Sequence, residues 1–561
     1  MSFSEHNRIS KFFLDHTPNG IDVAAALFIQ FVFWIGIMRY IELPGLYHDA
    51  INPDYIAAHT INPQLTNPGG ALYTAWFPLL GNLYHGVQNY YFELPVFWFF
   101  GLNIFSARIG QALFGAVIVL LVYVVSVRST GNRLISFIAA VGLASDIAFL
   151  ASFRTQFYII LSGEAWLFAA LCFLPFRSIP EKTFRLGCIL SGLCCGLAAY
   201  GYFVFLFFLP GFLWLILCHR DIDKRLAVKY WMIGIVIGLF PYALGYVSLF
   251  VRFGGIKPGF EWLNQTFFTM RILESTLPLW GRFANAFDLV NQALSNIGNV
   301  AMIFSETKAF DDFVQIGFAV KAKIIFMYSA LVLGIIFALV SYRKRTGDAN
   351  AVGKQMVVLP LSYFFFAALL GNRLWVHHFS VFVPLFYLVC AIVANEVYQL
   401  AKPRLASVMP VQNEIPIGII VSILLFFNFQ QQQVFFENLE KTGGGGKSTN
   451  ALSRLAEEAL TAQGMEVYFF PEWGFFPSFN LLTGNRIPYD VEFDAIKIQK
   501  FAQSGRGIRV PFWKEIDKDK YLSILKHEGI DNGSMHTFYR RDGEPAFYVI
   551  SASYPKQPIT E

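Results

Sequence analysis

Charge is what this sequence has least of. Of its 561 residues only 14% are Asp, Glu, Lys or Arg, against 55% hydrophobic and 17% aromatic. Soluble domains carry about 25% charged residues, so this composition excludes a soluble globular protein. Cysteine is sparse too. All six (Cys172, Cys188, Cys194, Cys195, Cys218, Cys390) lie in apolar segments, which excludes a disulfide framework or a zinc site in an aqueous loop. No cleavable signal peptide is evident, because Met1–Asp22 is polar and amphipathic and the run behind it is too long for an h-region. An internal repeat is missing, and with it the inverted-repeat signature of many transporters. The run Gly443 to Ser448 looks like a phosphate-cradling loop, yet the glycine required five positions before Gly446 is Lys441. It also follows an apolar span rather than a strand. Neither a nucleotide nor a nucleic acid partner is implied.

What is abundant is long apolar runs of about 17–22 residues, the length that crosses a bilayer. They read as eleven spans: Val23–Leu43, Ala107–Val127, Leu134–Leu150, Phe157–Leu174, a hairpin of two within Leu186–Cys218, Tyr230–Phe250, Lys323–Val340, Met356–Leu370, Phe379–Tyr398 and Ile415–Phe429. Arg8 and Lys11 precede the first, and every second loop thereafter is rich in Lys and Arg. By the positive-inside rule the N-terminus is cytoplasmic and the C-terminus lies outside. The expected fold is an all-α polytopic membrane protein of about eleven transmembrane helices, with a small α/β C-terminal extracytoplasmic domain. Residues 1–430 form the membrane domain, with outer loops 44–106 and 252–322. Aromatic clusters at Tyr73–Phe77 and Tyr90–Phe100, and Trp262, Phe267, Phe268 and Trp280, suggest interfacial helices in those loops. Residues 431–450 read as a linker, flexible at Gly443–Gly446. Residues 451–561 form the outer domain, with an amphipathic helix from Ala451, strands at Glu466–Phe470 and Ala546–Ile550, and a turn at Arg541-Asp542-Gly543.

The ionisable groups on the outer side carry the chemistry. Asp49 and Asp54 sit just past the first span, parted by the turn signal Asn52-Pro53. A carboxylate at the mouth of a membrane cavity can take a proton from a hydroxyl. Glu93 lies further along the same loop, Arg108 opens the second span, Arg154 sits in a tight outer turn, and Arg373, His377 and His378 share a late outer loop. Cations in short outer loops run against the positive-inside trend. One reading is structural, an Arg154 ion pair with Asp146 or Glu164 inside the spans. The other is an anion site, since a guanidinium offers a planar fork matched to phosphate oxygens.

Several of these residues fall in motifs. Pro44-Gly45-Leu46-Tyr47-His48-Asp49-Ala50-Ile51-Asn52 resembles the first-loop motif of GT-C membrane glycosyltransferases, the protein O-mannosyltransferase and aminoarabinose-transferase-like enzymes. Tyr91-Phe92-Glu93-Leu94-Pro95 resembles their Glu-x-Pro element. Phe105–Gly110, with Arg108, resembles their entry to the second span, and Ser152-Phe153-Arg154 sits at their third-to-fourth span turn. The resemblance covers the first 180 residues well and the rest loosely. Two departures stand out. Ala50 replaces the Glu that usually follows the Asp, which weakens any metal role for an Asp-Glu pair, and Leu94 replaces a Lys. The resemblance implies a GT-C fold in the bacterial cytoplasmic membrane. It implies transfer of a sugar from a polyprenyl-phosphate donor to a lipid, glycan or protein hydroxyl on the outer face, with inversion. Asp49 then acts as base with Asp54 as second candidate. Arg108, Arg154, Arg373 and His378 hold the donor phosphate, and Tyr47, His48 and Glu93 position the substrates. No cofactor is required, and a divalent metal is left open. The alternatives are a flippase for a lipid-linked sugar, which wants polar lining through the whole bilayer depth, and a structural membrane subunit.

Overall fold

A computed structural model describes residues 20–51, 55–63, 78–174, 181–219, 222–270, 276–314, 317–344, 351–408, 415–462, 465–502 and 505–553. The cluster Tyr73–Phe77 and the candidate base Asp54 lie outside the described residues.

Eight helices are long and apolar enough to cross a membrane: Gly20–Met38, Ile104–Thr130, Gln156–Phe173, Glu181–Gly201, Lys224–Arg252, Phe318–Arg343, Val352–Leu369 and Val376–Lys402. A bent pair, Arg133–Ala144 with Ile147–Arg154, makes a ninth. The shorter Phe203–Cys218 and the helix Ile415–Thr442 complete the eleven apolar segments read from the sequence. Their boundaries follow local chemistry. Asn103 caps Ile104–Thr130 by accepting from Ser106 N at 2.9 Å, and Gly131 closes its end in the left-handed region (φ 70°). The bent pair breaks at Ser145-Asp146, where the Asp146 carboxylate leaves the helix to cap Ala148 N at 2.9 Å.

Packing separates centre from rim. The Val376–Lys402 span is almost wholly enclosed, whereas Gly20–Met38 and Phe318–Arg343 present most of their length outward. Glu181–Gly201 and Lys224–Arg252 meet backbone to backbone: a Cβ on Gly192 would lie 2.0 Å from Trp231 O, and one on Gly238 2.3 Å from Leu193 O. Small residues allow this approach where lipid supplies no hydrophobic drive between helices. The stretch between the spans Lys224–Arg252 and Phe318–Arg343, expected to be the second outer loop, carries the helices Ile256–Met270, Leu279–Leu294, Ile297–Ile303 and Lys308–Val314. Trp280 and Phe260 are exposed on them, as the interfacial reading expects.

The C-terminal region is a five-stranded sheet of β3 (Glu466–Phe469), β4 (Tyr489–Asp490), β5 (Gly507–Phe512), β6 (Ser534–Tyr539) and β7 (Pro545–Ser553), in the order β4-β3-β5-β7-β6. The numbering starts after a small hairpin in the first loop, β1 (Leu80–Asn82) and β2 (His85–Gly86). Strand β3 runs parallel to both neighbours, and β5–β7–β6 is antiparallel, with the 541–543 turn joining β6 to β7. Alternation along β3 feeds two cores. Val467 and Phe469 pack with Ile498, Tyr521 and Leu525, while Tyr468 and Phe470 pack with Leu452, Leu455 and Phe479.

Residues 431–450 differ from a linker. The helix from Ile415 continues to Thr442, and Gly443–Gly446 are buried against the membrane domain rather than tethering loosely. Gly445 N donates to Ile303 O at 2.7 Å. The domain also docks on the first loop, through Ser478 Oγ to Leu46 O (2.8 Å) and Asn62 Nδ2 to Gly484 O (2.7 Å).

Asp146 and Glu164 do not pair with Arg154. Asp146 forms a buried ion pair with Lys323 (2.6 Å) and accepts from Tyr387 Oη (2.9 Å). Glu164 accepts from Ser380 Oγ (3.2 Å). The pairing ties the bent span to two helices more than 170 residues away in sequence. A buried pair cannot lose one partner cheaply. We predict that Lys323→Met lowers stability by roughly 3–5 kcal/mol, seen as a lower melting temperature in detergent, and that adding Asp146→Asn recovers most of it. An unchanged melt for Lys323→Met alone rules this out.

Candidate active site

The first helix ends at Met38, and its last carbonyls, with those just beyond, have no helical N–H to bond. Two buried arginines take them. Arg154 donates from Nη2 to Ile37 O (3.0 Å) and Arg39 O (2.6 Å), and from Nε to Leu43 O (3.1 Å). Arg108 donates to Ile41 O, and to Pro44 O at 2.6 Å. A cation at a helix C-terminus also suits the macrodipole. These guanidinium groups therefore sit on the backbone from Ile37 to Pro44, with donors that a phosphate would otherwise claim. Arg154 additionally lies over the Phe436 ring, 5.3 Å from its centroid.

The clamped chain presents the next residues at a fixed place. Leu46 is buried, Tyr47, His48 and Asp49 are half-buried, and His48–Ala50 make one 3-10 turn whose Ala50 is buried again. Asp49 is thus a carboxylate at a surface, on a turn anchored at both sides. The Tyr47 hydroxyl lies close to it. Burial raises the Asp49 pKa above the ordinary carboxylate range, and the Tyr47 hydroxyl and the charge of Lys447 pull partly the other way. His48 is pushed down to about 4, by burial first and then by Lys447, so it is neutral at physiological pH. Burial raises the Tyr84 hydroxyl too, with Asp49 close enough to add to the effect.

The C-terminal domain closes this group from above. Trp473 meets the Tyr47 ring edge-on (5.7 Å), lies 4.7 Å from the His48 ring, and carries the Lys447 ammonium 4.3 Å from its centroid. Its loop is fixed by Glu472, which accepts from Trp513 N and Tyr521 Oη, both at 2.8 Å. On the membrane side Tyr84 faces Tyr202 (5.5 Å), and the Tyr202 hydroxyl is 2.9 Å from His378 Nε2.

The remaining residues expected at the site are dispersed in role. Glu93 is buried in the helix Gln88–Phe100, its carboxylate where a Cβ on Gly110 would come within 2.2 Å. His378 is held by Tyr202 and by Trp375 N (2.9 Å), and His377 Nδ1 by Gln156 (3.2 Å). Arg373 is half-buried in the turn Gly371–Arg373. Among the described residues no group of three or more His, Cys, Asp or Glu side chains is placed to hold a metal ion. Sequence reading missed Lys447, Trp473, Tyr84 and Tyr202. A signal for the first was present in the four glycines before it. They read as a tether or a nucleotide loop because close approach to a partner cannot be seen from one segment.

Residues 71–264 match the family described as dolichyl-phosphate-mannose-protein mannosyltransferase. No curated protein matches the chain in sequence. Among solved structures, ArnT from Cupriavidus metallidurans in the apo state is similar with a TM-score of 0.55 at 13% identity, over 95% of this chain and 97% of that one. The same protein bound to undecaprenyl phosphate gives 0.56 at 14%, over the same shares. At such identities the likeness is one of fold, and it spans both the helical bundle and the C-terminal sheet. The segment that matches the mannosyltransferase family thus lies inside an architecture that the chain shares with ArnT along nearly its whole length.

Proposed function

We propose that the chain transfers a sugar from a polyprenyl-phosphate donor to an acceptor hydroxyl at the outer face of a bacterial cytoplasmic membrane, with inversion. The observation that carries this is Asp49. It is a half-buried carboxylate of raised pKa, on a turn fixed from below by two arginines and from above by a docked domain. Asp49 takes the acceptor proton, the freed oxygen bonds the anomeric carbon, and the bond from that carbon to the phosphate oxygen breaks. Polyprenyl phosphate leaves with the electron pair. The neighbouring structure bound to undecaprenyl phosphate supports a lipid phosphate as the carrier. Tyr47 lies beside the base, His48 is neutral, and Lys447 brings positive charge within electrostatic reach of Asp49. Arg108 and Arg154 act at one remove by holding the loop, which leaves Arg373 and His378 from the sequence-derived phosphate set. Asp54 remains the competing base.

Asp49→Asn lowers turnover about a hundredfold or more, the usual cost of a lost general base, with an unchanged melting temperature. In the wild type the rate falls as pH drops through the Asp49 pKa, so the acid limb lies above the ordinary aspartate value of about 4. Near-normal turnover in Asp49→Asn, with a dead Asp54→Asn, moves the base to Asp54.

The C-terminal domain belongs on the outer side in this reading. A cysteine at exposed Asp519 should react with an impermeant maleimide in intact cells whose outer membrane has been permeabilised, above the background of the native cysteines. Labelling only after lysis reverses the orientation.

A further inference from the structure

Five glycines converge on one lysine. A Cβ on Gly45, two residues before Tyr47, would lie 2.2 Å from Thr449 O. Gly444 (φ 92°) would collide with Pro44 Cβ at 2.5 Å, and Gly445 and Gly446 with Ser305 at 2.3 and 2.2 Å. Gly474, with φ 110°, lies where a Cβ would meet the Lys447 stem at 3.0 Å. Backbone contact this close needs residues without a Cβ, and several of these also need positive φ. The effect is to press the turn 443–449 of the C-terminal region onto the loop that carries Asp49. The residue at its tip, Lys447, is half-buried, with its ammonium on the Trp473 ring and within electrostatic reach of His48 and Asp49. Among the described residues it pairs with no carboxylate. Beside it His48 Nδ1 is buried without a hydrogen-bond partner.

An ammonium on a half-buried side chain, without a carboxylate at ion-pair distance and next to a base and a buried ring nitrogen that has no hydrogen-bond partner, is a place for an anion. Two of the three guanidinium groups that the sequence offers for that anion, Arg108 and Arg154, are engaged with backbone carbonyls. We infer that Lys447, supplied by the C-terminal domain, binds the phosphate of the lipid carrier and steadies it as the leaving group, with Trp473 fixing the ammonium. The inference rests on the proposed donor class and assigns its phosphate to a residue outside the membrane bundle. Opposite charges on the two sides of the anomeric carbon then divide the work: Asp49 withdraws the acceptor proton and Lys447 takes up charge developing on the departing oxygen.

The test measures binding of undecaprenyl phosphate, and of undecaprenol as the phosphate-free control, to the purified full-length protein in detergent. Lys447→Ala should weaken undecaprenyl phosphate roughly ten- to hundredfold, the worth of a hydrogen bond to a charged group. Undecaprenol binding and the melting temperature should stay as in the wild type, and Lys447→Arg should restore much of the loss. Equal binding by wild type and Lys447→Ala overturns the inference and leaves the donor assignment standing. So does a parallel loss of both lipids, or a lowered melt that Arg does not rescue, which marks Lys447 as a strut. Failure of the wild type to prefer the phosphate over the alcohol sinks the donor class itself.

Discussion

The clamp of two arginines on the chain between Ile37 and Pro44 is the constraint on which the rest depends. A transmembrane helix ends with carbonyls that water or a donor must satisfy. Here buried guanidinium groups do it, and in doing so they set the direction in which the chain leaves the membrane. Burying a cation costs several kcal/mol. Charge-assisted hydrogen bonds of about 1.5–3 kcal/mol each offset that cost. Glu42 adds opposite charge near Arg108, against the repulsion from Arg154. The arginines come from the start of the second span and the end of the bent third. Three helices therefore agree on where the loop begins, before any residue of the site is placed.

The second constraint comes from the other end of the chain. Asp49, the proposed base, is on the first loop, the aromatic and cationic groups near it are on the C-terminal domain, and Tyr84, Tyr202 and His378 lie on the other side. Electrostatic preorganisation needs groups held before the substrate arrives. The Glu472 bonds to Trp513 and Tyr521 serve that end, because they fix the loop bearing Trp473.

Much of the fold was legible in the sequence because bilayer thickness imposes a length on apolar runs. The positions of all eleven segments, the outer-loop helices and the strands at Glu466 and Ala546 follow from pattern alone. Asp49 stood out as a candidate through its motif and its place after a span. What stayed hidden was partnership. Arg108 and Arg154 stood out as misplaced cations, but their partners are backbone carbonyls, which every residue has and no composition reveals. Asp146 was expected near Arg154, two turns away, and instead found Lys323 across the bundle. Lys447 was dismissed with the glycines around it, whose purpose appears only when Pro44 and Ser305 are seen against them.

The contact between Gly45 and Thr449 has a consequence for how such proteins diversify. The two chain segments touch through backbone, so Gly45 cannot gain a side chain without moving Thr449. The loop 44–51 and the turn 443–449 must therefore change together, although four hundred residues separate them. A C-terminal domain grafted from a relative would bring its own turn to a foreign loop, and the mismatch would fall on the turn that carries Asp49. Chimeras that exchange both segments as one unit should keep the acceptor side adjustable, whereas a cut at the end of the last membrane helix would divide a single piece of machinery.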